Sequence, residues 1–237
     1  MKTPEIGHIG IVACSAEGAA LCYRTIALEG RELMGEHAHP EVTMHTIPLA
    51  DYMVGIRVGD WEQVGSFMLR SAEIVAAAGA DFAICPDNTI HQALPLFRER
   101  SPVPWLHIAE EVAREAKSRG FTRIAITGTK YLMTGPVYPT AFTAAGLEHR
   151  IPDENQRQRI DDIIFNELVY GDIRETSRQY FNEVIDDLKQ QGCDAVVLGC
   201  TEIPLIVRPD DCPLPTLDST RLLARGALRR AISEQAL

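Results

Sequence analysis

The sequence predicts an α/β fold of two pseudo-symmetric lobes, each a mainly parallel sheet flanked by helices. Three observations predict it. Short β-branched apolar runs alternate with amphipathic stretches along the whole chain. The apolar runs are near-continuous rather than alternating, as strands covered on both faces are. Two pairs of segments also repeat. GADFAICPDNTI (79–90) superposes without a gap on GCDAVVLGCTEI (192–203), an offset of 113 residues (79 to 192). HIGIVACS (8–15) superposes on RIAITGTK (123–130) at an offset of 115 (8 to 123), which carries Tyr23 onto Tyr138. Similar offsets in two places indicate a duplicated unit.

The predicted strands are HIGIVAC (8–14), EVTMHTI (41–47), FAICP (82–86), WLHI (105–108), RIAITGT (123–129) and AVVLGC (195–200). Between them, EQVGSFMLRSAEIVAAAG (62–79), AEEVAREAKSRG (109–120) and ETSRQYFNEVIDDLKQQG (175–192) have helical periodicity. Gly120 and Gly192 stand just past the last turns of the second and third. DENQRQRIDD (153–162) reads as a solvated helix face. Ser101-Pro102-Val103-Pro104 suits a crossing between lobes, and PTLD (215–218) reads as a short strand before a final helix that returns to the first lobe. The expected division is 1–104 plus 206–237 for the first lobe and 105–205 for the second.

Composition bounds the function. Lys and Arg number 23 against 33 Asp and Glu in 237 residues, a formal charge of −10. Nucleic-acid and anionic-membrane binding draw their affinity from basic patches, so neither is expected. Apolar residues at 46% and charged residues at 24% are ordinary for a packed core. No apolar run approaches a membrane span, and MKTPEIGHIG lacks a secretory leader profile, so the expected location is cytoplasmic. The six cysteines (14, 22, 85, 193, 200, 212) include no CxxC pair and no zinc-finger grouping, which argues against a disulfide framework or a structural metal. His37 and His39 have no third ligand in reach by sequence.

Ligands of parallel α/β sheets bind outside the carboxyl ends of the strands. Four loops stand there: Ala13-Cys14-Ser15, Pro86-Asp87-Asn88-Thr89, Gly128-Thr129-Lys130 and Gly199-Cys200-Thr201-Glu202. The repeat makes Asp87 the counterpart of Cys200. Two proton-transfer groups on opposite sides of one cleft suit inversion at a carbon acid, one removing a proton while the other supplies one to the opposite face. Cys200 follows a strand and a glycine and is expected to open a helical turn, where thiol pKa values fall. It also reads as a buried strand-end cysteine, and Cys85 reads as core. Asp87 reads equally as a turn or cap residue. Ser15, Asn88, Thr89, Thr129 and Thr201 divide between capping and donating to a substrate carboxylate. His91 and His107 flank strand ends and read first as structural.

Almost the whole chain resembles the aspartate/glutamate racemase superfamily, which also holds hydantoin racemases, maleate isomerases and arylmalonate decarboxylases. The strongest element is Leu198-Gly199-Cys200-Thr201-Glu202-Ile203, similar to the family's Gly-Cys-Thr-Glu segment. Asn88-Thr89-Ile90-His91, Thr127-Gly128-Thr129, the stretch Ile163 to Leu168 and Leu217-Asp218-Ser219 support it. The resemblance implies two lobes around one active site, a homodimer, no cofactor and a two-base proton transfer at the α-carbon of an acidic amino acid. It implies Cys200 as the second catalytic group, Thr201 and Glu202 as substrate-binding residues, and Asn88, Thr89, Thr129 and Ser15 as holding the substrate.

The chain departs from the family's pattern at three places. Asp87 stands where the first catalytic cysteine is expected. The first loop lacks the family's paired glycines. PLADYM (48–53) and NELVYG (166–171), where aspartate-specific members place cations, contain no basic residue. The expected activity is therefore a cofactor-independent racemase acting on an amino acid or related carboxylate, with Asp87 and Cys200 as opposed acid/base groups. A one-base lyase or decarboxylase using Cys200, and a catalytically silent small-molecule binder, are the rival readings.

Overall fold

The computed structural model describes residues 6–233. Residues 1–5, the first half of MKTPEIGHIG, and residues 234–237 lie outside the described residues. The chain divides into two compact units: one runs through Ile108 and resumes at Thr220, and the other is Ala109–Ser219.

The first unit opens on β1 (Ile9–Ala13), followed by α1 (Ala16–Met34), β2 (Val42–Thr46), α2 (Leu49–Val58), α3 (Trp61–Ala77) and β3 (Phe82–Ile84). Its three parallel strands lie in the order β2-β1-β3. All five residues of the central strand β1 are buried, which is why HIGIVAC reads as a continuous apolar run. A short helix α4 (Leu94–Phe97) follows β3, and α5 (Ile108–Ser118) begins at the last residue of this unit.

The second unit continues with β4 (Arg123–Thr127), α6 (Lys130–Thr134), α7 (Val137–Ala145), β5 (Glu148–Arg150), α8 (Glu154–Asn166), α9 (Glu175–Gln190), β6 (Ala195–Leu198) and β7 (Thr216–Asp218). Its parallel sheet has the order β5-β4-β6-β7. Phe181, Val184, Ile185 and Leu188 of α9 pack with Ile160, Ile163 and Ile164 of α8 against Ala125 and Val196 of the sheet. The final helix α10 (Ser219–Ser233) returns to the first unit, where Leu223, Ala227 and Ala231 pack with Ile9, Ile11 and Phe82.

The duplication is visible in both topology and detail. The order β2-β1-β3 of one sheet matches β5-β4-β6 of the other. Asp81 and Asp194, aligned by the repeat, play the same part. Asp81 Oδ2 accepts from His8 N at 2.7 Å, and Asp194 Oδ2 accepts from Thr122 N at 2.7 Å. Each carboxylate thus satisfies a backbone donor at the entrance to a central strand. Gly79 and Gly192 precede them with φ of 100° and 88°, a region costly for any residue with a Cβ. The tyrosine pair does not share an environment, since Tyr138 is fully buried and Tyr23 is exposed.

Two expectations need adjustment, and one strand goes unmarked in the sequence. WLHI forms no strand: Trp105 makes a single bridge to Ala83. Pro102 and Pro104 supply no N–H to a ladder, and α5 begins at Ile108, so there is no length for one. The strand PTLD pairs with β6, with Val196 N donating to Pro215 O at 2.9 Å, so residues 206–218 stay with the second sheet and the return crossing follows β7. The edge strand β5, Glu148-His149-Arg150, has no apolar run by which to be found.

Gly10 is the second residue of β1 and lies under α3. A Cβ there would meet Val75 Cγ2 at 2.7 Å and Ala80 Cβ at 3.0 Å. Gly10→Ala is expected to destabilise the protein by about 1–3 kcal/mol through overpacking. A urea-unfolding midpoint equal to wild type would contradict this.

Candidate active site

The residues singled out in the sequence fall at the carboxyl ends of β1 and β3 in the first unit, and of β4 and β6 in the second. Each set is built by its own sheet.

In the first unit, β3 ends at Ile84 and the chain turns through Cys85-Pro86-Asp87-Asn88 into a 3₁₀ turn over Thr89–Ala93. The turn is held from within. The carbonyl of Asp87 accepts from His91 Nδ1 at 2.7 Å, and His91 Nε2 accepts from Ile108 N at 3.3 Å. With one ring nitrogen donating and the other accepting, His91 is neutral with its proton on Nδ1. The Asp87 side chain does two things. Oδ1 accepts from Ile90 N at 3.3 Å, which is the capping role, and Oδ2 accepts from the Cys14 thiol at 3.3 Å. Cys85 is fully buried and directs its thiol to the Asp87 carbonyl at 3.9 Å, leaving the carboxylate to Cys14. Burial, reinforced by the Asp87 charge, pushes the Cys85 thiol well up.

Asn88 is buried and Thr89 half-buried on the same turn. Ser15 occupies the N-cap position of α1 with extended backbone, and its hydroxyl does not cap the helix.

Two groups at this end are not distinguished by the sequence. Cys14 is one of six cysteines, and only its loop is marked as a ligand-binding position. Tyr52 lies within PLADYM, a segment notable in sequence only for its lack of cations. The Tyr52 ring is fully buried, edge-on to Phe67 at 5.5 Å, and its hydroxyl has no hydrogen-bond partner of good geometry among the described residues. Burial, with the charge of Asp87 adding to it, drives its pKa strongly upward, so the phenol is a neutral donor. Ser71, close enough to offset this slightly, is engaged by His45 Nδ1 at 3.0 Å. No periodicity or motif marks Tyr52.

In the second unit, β4 and β6 end side by side. Gly199 N donates to Thr127 O at 2.9 Å, and a Cβ at 199 would stand 2.6 Å from that oxygen. Close backbone approach therefore explains the glycine before Cys200. Cys200 is half-buried, and its thiol donates to Glu202 Oε2 at 2.9 Å. The Thr201 hydroxyl donates to the same oxygen at 2.8 Å. Thr201 and Glu202 are both buried. Thr129 caps α6, its Oγ1 accepting from Leu132 N at 3.3 Å. The expected helix after Cys200 is a 3₁₀ turn of three residues, Ile203–Leu205, so a helix dipole is a poor account of the thiol's activation and the Glu202 carboxylate is its immediate electrostatic neighbour.

Among the described residues, no group of three or more His, Cys, Asp or Glu side chains is placed to hold a metal ion, and no helix is long and apolar enough to cross a membrane. A groove of about 470 Å³ on the second unit, lined by Lys130, Tyr131, Glu154 and Arg157 among others, includes none of the residues above.

His91 and His107 contact edge to face at 4.7 Å. Both titrate below the ordinary 6.5. Burial is the main cause in each, aided by His107 acting on His91 and by Arg98 acting on His107, which falls to about 4. Below pH 6.5 the unfolded chain binds protons that the folded one does not, so stability is lost as pH falls from 6.5 toward 4. Unfolding in urea should show a loss of about 2 kcal/mol from His107 alone between pH 7 and 5. His107→Gln should flatten that slope; an unchanged slope would contradict the assignment.

The comparisons with known proteins agree with this fold. A crystal structure of a Yersinia pestis protein assigned to the Asp/Glu racemases superposes with a TM-score of 0.88 at 28% identity, covering 96% of this chain and 100% of that one. An aspartate racemase homologue from Pyrococcus horikoshii OT3 gives 0.83 at 25% identity, with the same coverages. The broad specificity amino-acid racemase RacX of Bacillus subtilis is 20% identical over 197 residues, 83% of this chain and 84% of that protein. The family model for Asp/Glu/hydantoin racemase matches residues 9–227, and the chain belongs to that family.

Proposed function

We propose that the protein is a cofactor-independent racemase that moves a proton at the α-carbon of an amino acid or related carboxylate. Asp87 of the first unit and Cys200 of the second are its acid/base groups. The observation that carries this reading is their equivalence: the repeat aligns them, and each follows a strand of its own parallel sheet, β3 and β6. Family membership supports the reaction class, and the named activity of RacX supports amino acids as substrates.

In this reading one group takes the α-proton while the other delivers a proton to the opposite face. Ser15, Asn88, Thr89 and Thr129 bind the substrate carboxylate, and Thr201 and Glu202 complete the site around Cys200. Hydroxyls and backbone amides stabilise the enolate-like intermediate. The enzyme is read as a cytoplasmic homodimer. An aspartate opposed to a cysteine is an unequal pair, with reference pKa values near ~3.9 and ~8.5. That inequality is the one observation favouring a one-base lyase or decarboxylase on a malonate-like acid, with Cys200 as sole donor.

Chiral chromatography on a panel of amino acids separates these readings. Wild type should invert at least one of them, and Cys200→Ser and Asp87→Asn should each lose at least about 100-fold, the scale of one general acid or base. Wild type inverting nothing contradicts the racemase. Decarboxylation that survives Asp87→Ala would establish the one-base reading instead.

A further inference from the structure

The Asp87 carboxylate does not stand alone at the end of its sheet. Its Oδ2 carries the thiol of Cys14, which arrives at the carboxyl end of the adjacent strand β1, while its Oδ1 is held by Ile90 N. The second unit contains the same chemical combination, with the Cys200 thiol donating to Glu202 Oε2 at 2.9 Å. Each unit therefore presents one thiol hydrogen-bonded to one carboxylate beyond the ends of its parallel strands. The residues come from different loops, since the repeat aligns Cys14 with Thr129 rather than with Cys200. A further feature marks the first pair as more than packing. The Tyr52 hydroxyl, fully buried and without a hydrogen-bond partner of good geometry among the described residues, lies in the field of both Cys14 and Asp87. A buried, unsatisfied donor within electrostatic reach of a thiol–carboxylate pair is costly in a resting protein.

We propose that Cys14 is the group of the first unit that exchanges the α-proton, and that Asp87 acts through it as the acceptor of the thiol proton. This rests on the two-base reading above and replaces its unequal partners with two thiols. Two thiols share a reference pKa near ~8.5, so proton exchange in either direction starts from comparable groups. Asp87 takes the Cys14 thiol proton, leaving a thiolate on Cys14. The thiolate sulfur forms a bond to the α-proton as the Cα–H bond breaks, and that electron pair passes into the substrate's carboxylate-conjugated system. The Cys200 S–H bond breaks toward the opposite face of the carbon, and its electron pair stays on sulfur as the second thiolate. The turnover leaves Asp87 protonated and Cys200 a thiolate. Asp87 gives its proton to water and Cys200 takes one from water, which restores the starting enzyme. The opposite conversion starts with the Cys200 thiol proton passing to Glu202 and the sulfur roles exchanged.

The test follows α-proton exchange with solvent deuterium by NMR for both enantiomers of each amino acid in the panel. It uses the full-length wild type, Cys14→Ala and Cys14→Ser. Both variants should invert at least about 100-fold more slowly than wild type. They should still exchange the α-proton of one enantiomer, the one served by Cys200, which a merely structural defect would not select. The circular dichroism of Cys14→Ser should match wild type. A Cys14→Ala enzyme inverting within about threefold of wild type overturns the role of Cys14 and leaves the two-base reading standing on Asp87. A wild type that exchanges no α-proton overturns both. A second measurement addresses the pair itself: in protein labelled with [3-¹³C]cysteine, the Cys14 Cβ titration should move to lower pH in Asp87→Asn, because the carboxylate favours the protonated thiol. Superimposed titrations in the two proteins overturn the coupling.

Discussion

His91 holds one ring nitrogen against the carbonyl of Asp87 and the other under the amide of Ile108, at 2.7 and 3.3 Å. The rest of the first unit's site depends on that pair of hydrogen bonds. A parallel strand that ends in a loop leaves backbone groups to be satisfied, and here a buried imidazole does so with a fixed tautomer. The carbonyl is thereby anchored and the Asp87 side chain is aimed along its two partners, Ile90 N and the Cys14 thiol. Burial keeps the ring neutral, so the anchor operates across the physiological pH range and fails only in acid.

The second unit reaches a similar end by other means. No histidine is needed because β4 and β6 terminate together, with Gly199 N bonded to Thr127 O and no side chain to hold them apart. The Cys200 loop is then organised by Glu202, whose single oxygen accepts from the thiol and from Thr201. The two units share the strand order of their sheets and the strand-entry carboxylates Asp81 and Asp194. The two loops differ in how each is stabilised. What they share is chemical: a thiol beside a carboxylate at the carboxyl end of a parallel sheet.

The strands β1, β2, β3, β4 and β6 are legible because β-branched apolar runs, continuous where both faces are buried, stand out in the sequence. Edge strand β5 is not, since Glu148-His149-Arg150 is partly solvated and carries no such run. PTLD is legible as a strand, but the sheet it joins is not. A short strand next to the return helix carries no sign of its partner, and only pairing with β6 assigns it to the second unit. Within the site, Asp87 and Cys200 can be found by the repeat and by resemblance. Cys14 and Tyr52 cannot, because their relation to Asp87 spans 73 and 35 positions of sequence (14 and 52 to 87) and leaves no spacing rule. Thr129 is ambiguous between cap and ligand; its oxygen serves as the cap, which a local sequence can encode directly.

In the proposed mechanism two groups, one from each unit, serve opposite faces of one carbon. A crystal structure with a bound amino acid tests it most directly through the distances from the substrate α-carbon to the Cys14 and Cys200 sulfur atoms and the Asp87 carboxylate. The account predicts Cys200 on one face and Cys14, backed by Asp87, on the other, each reacting atom within about 3–3.5 Å of its target. A substrate whose α-carbon is approached by a proton-transfer group from one face only would contradict it.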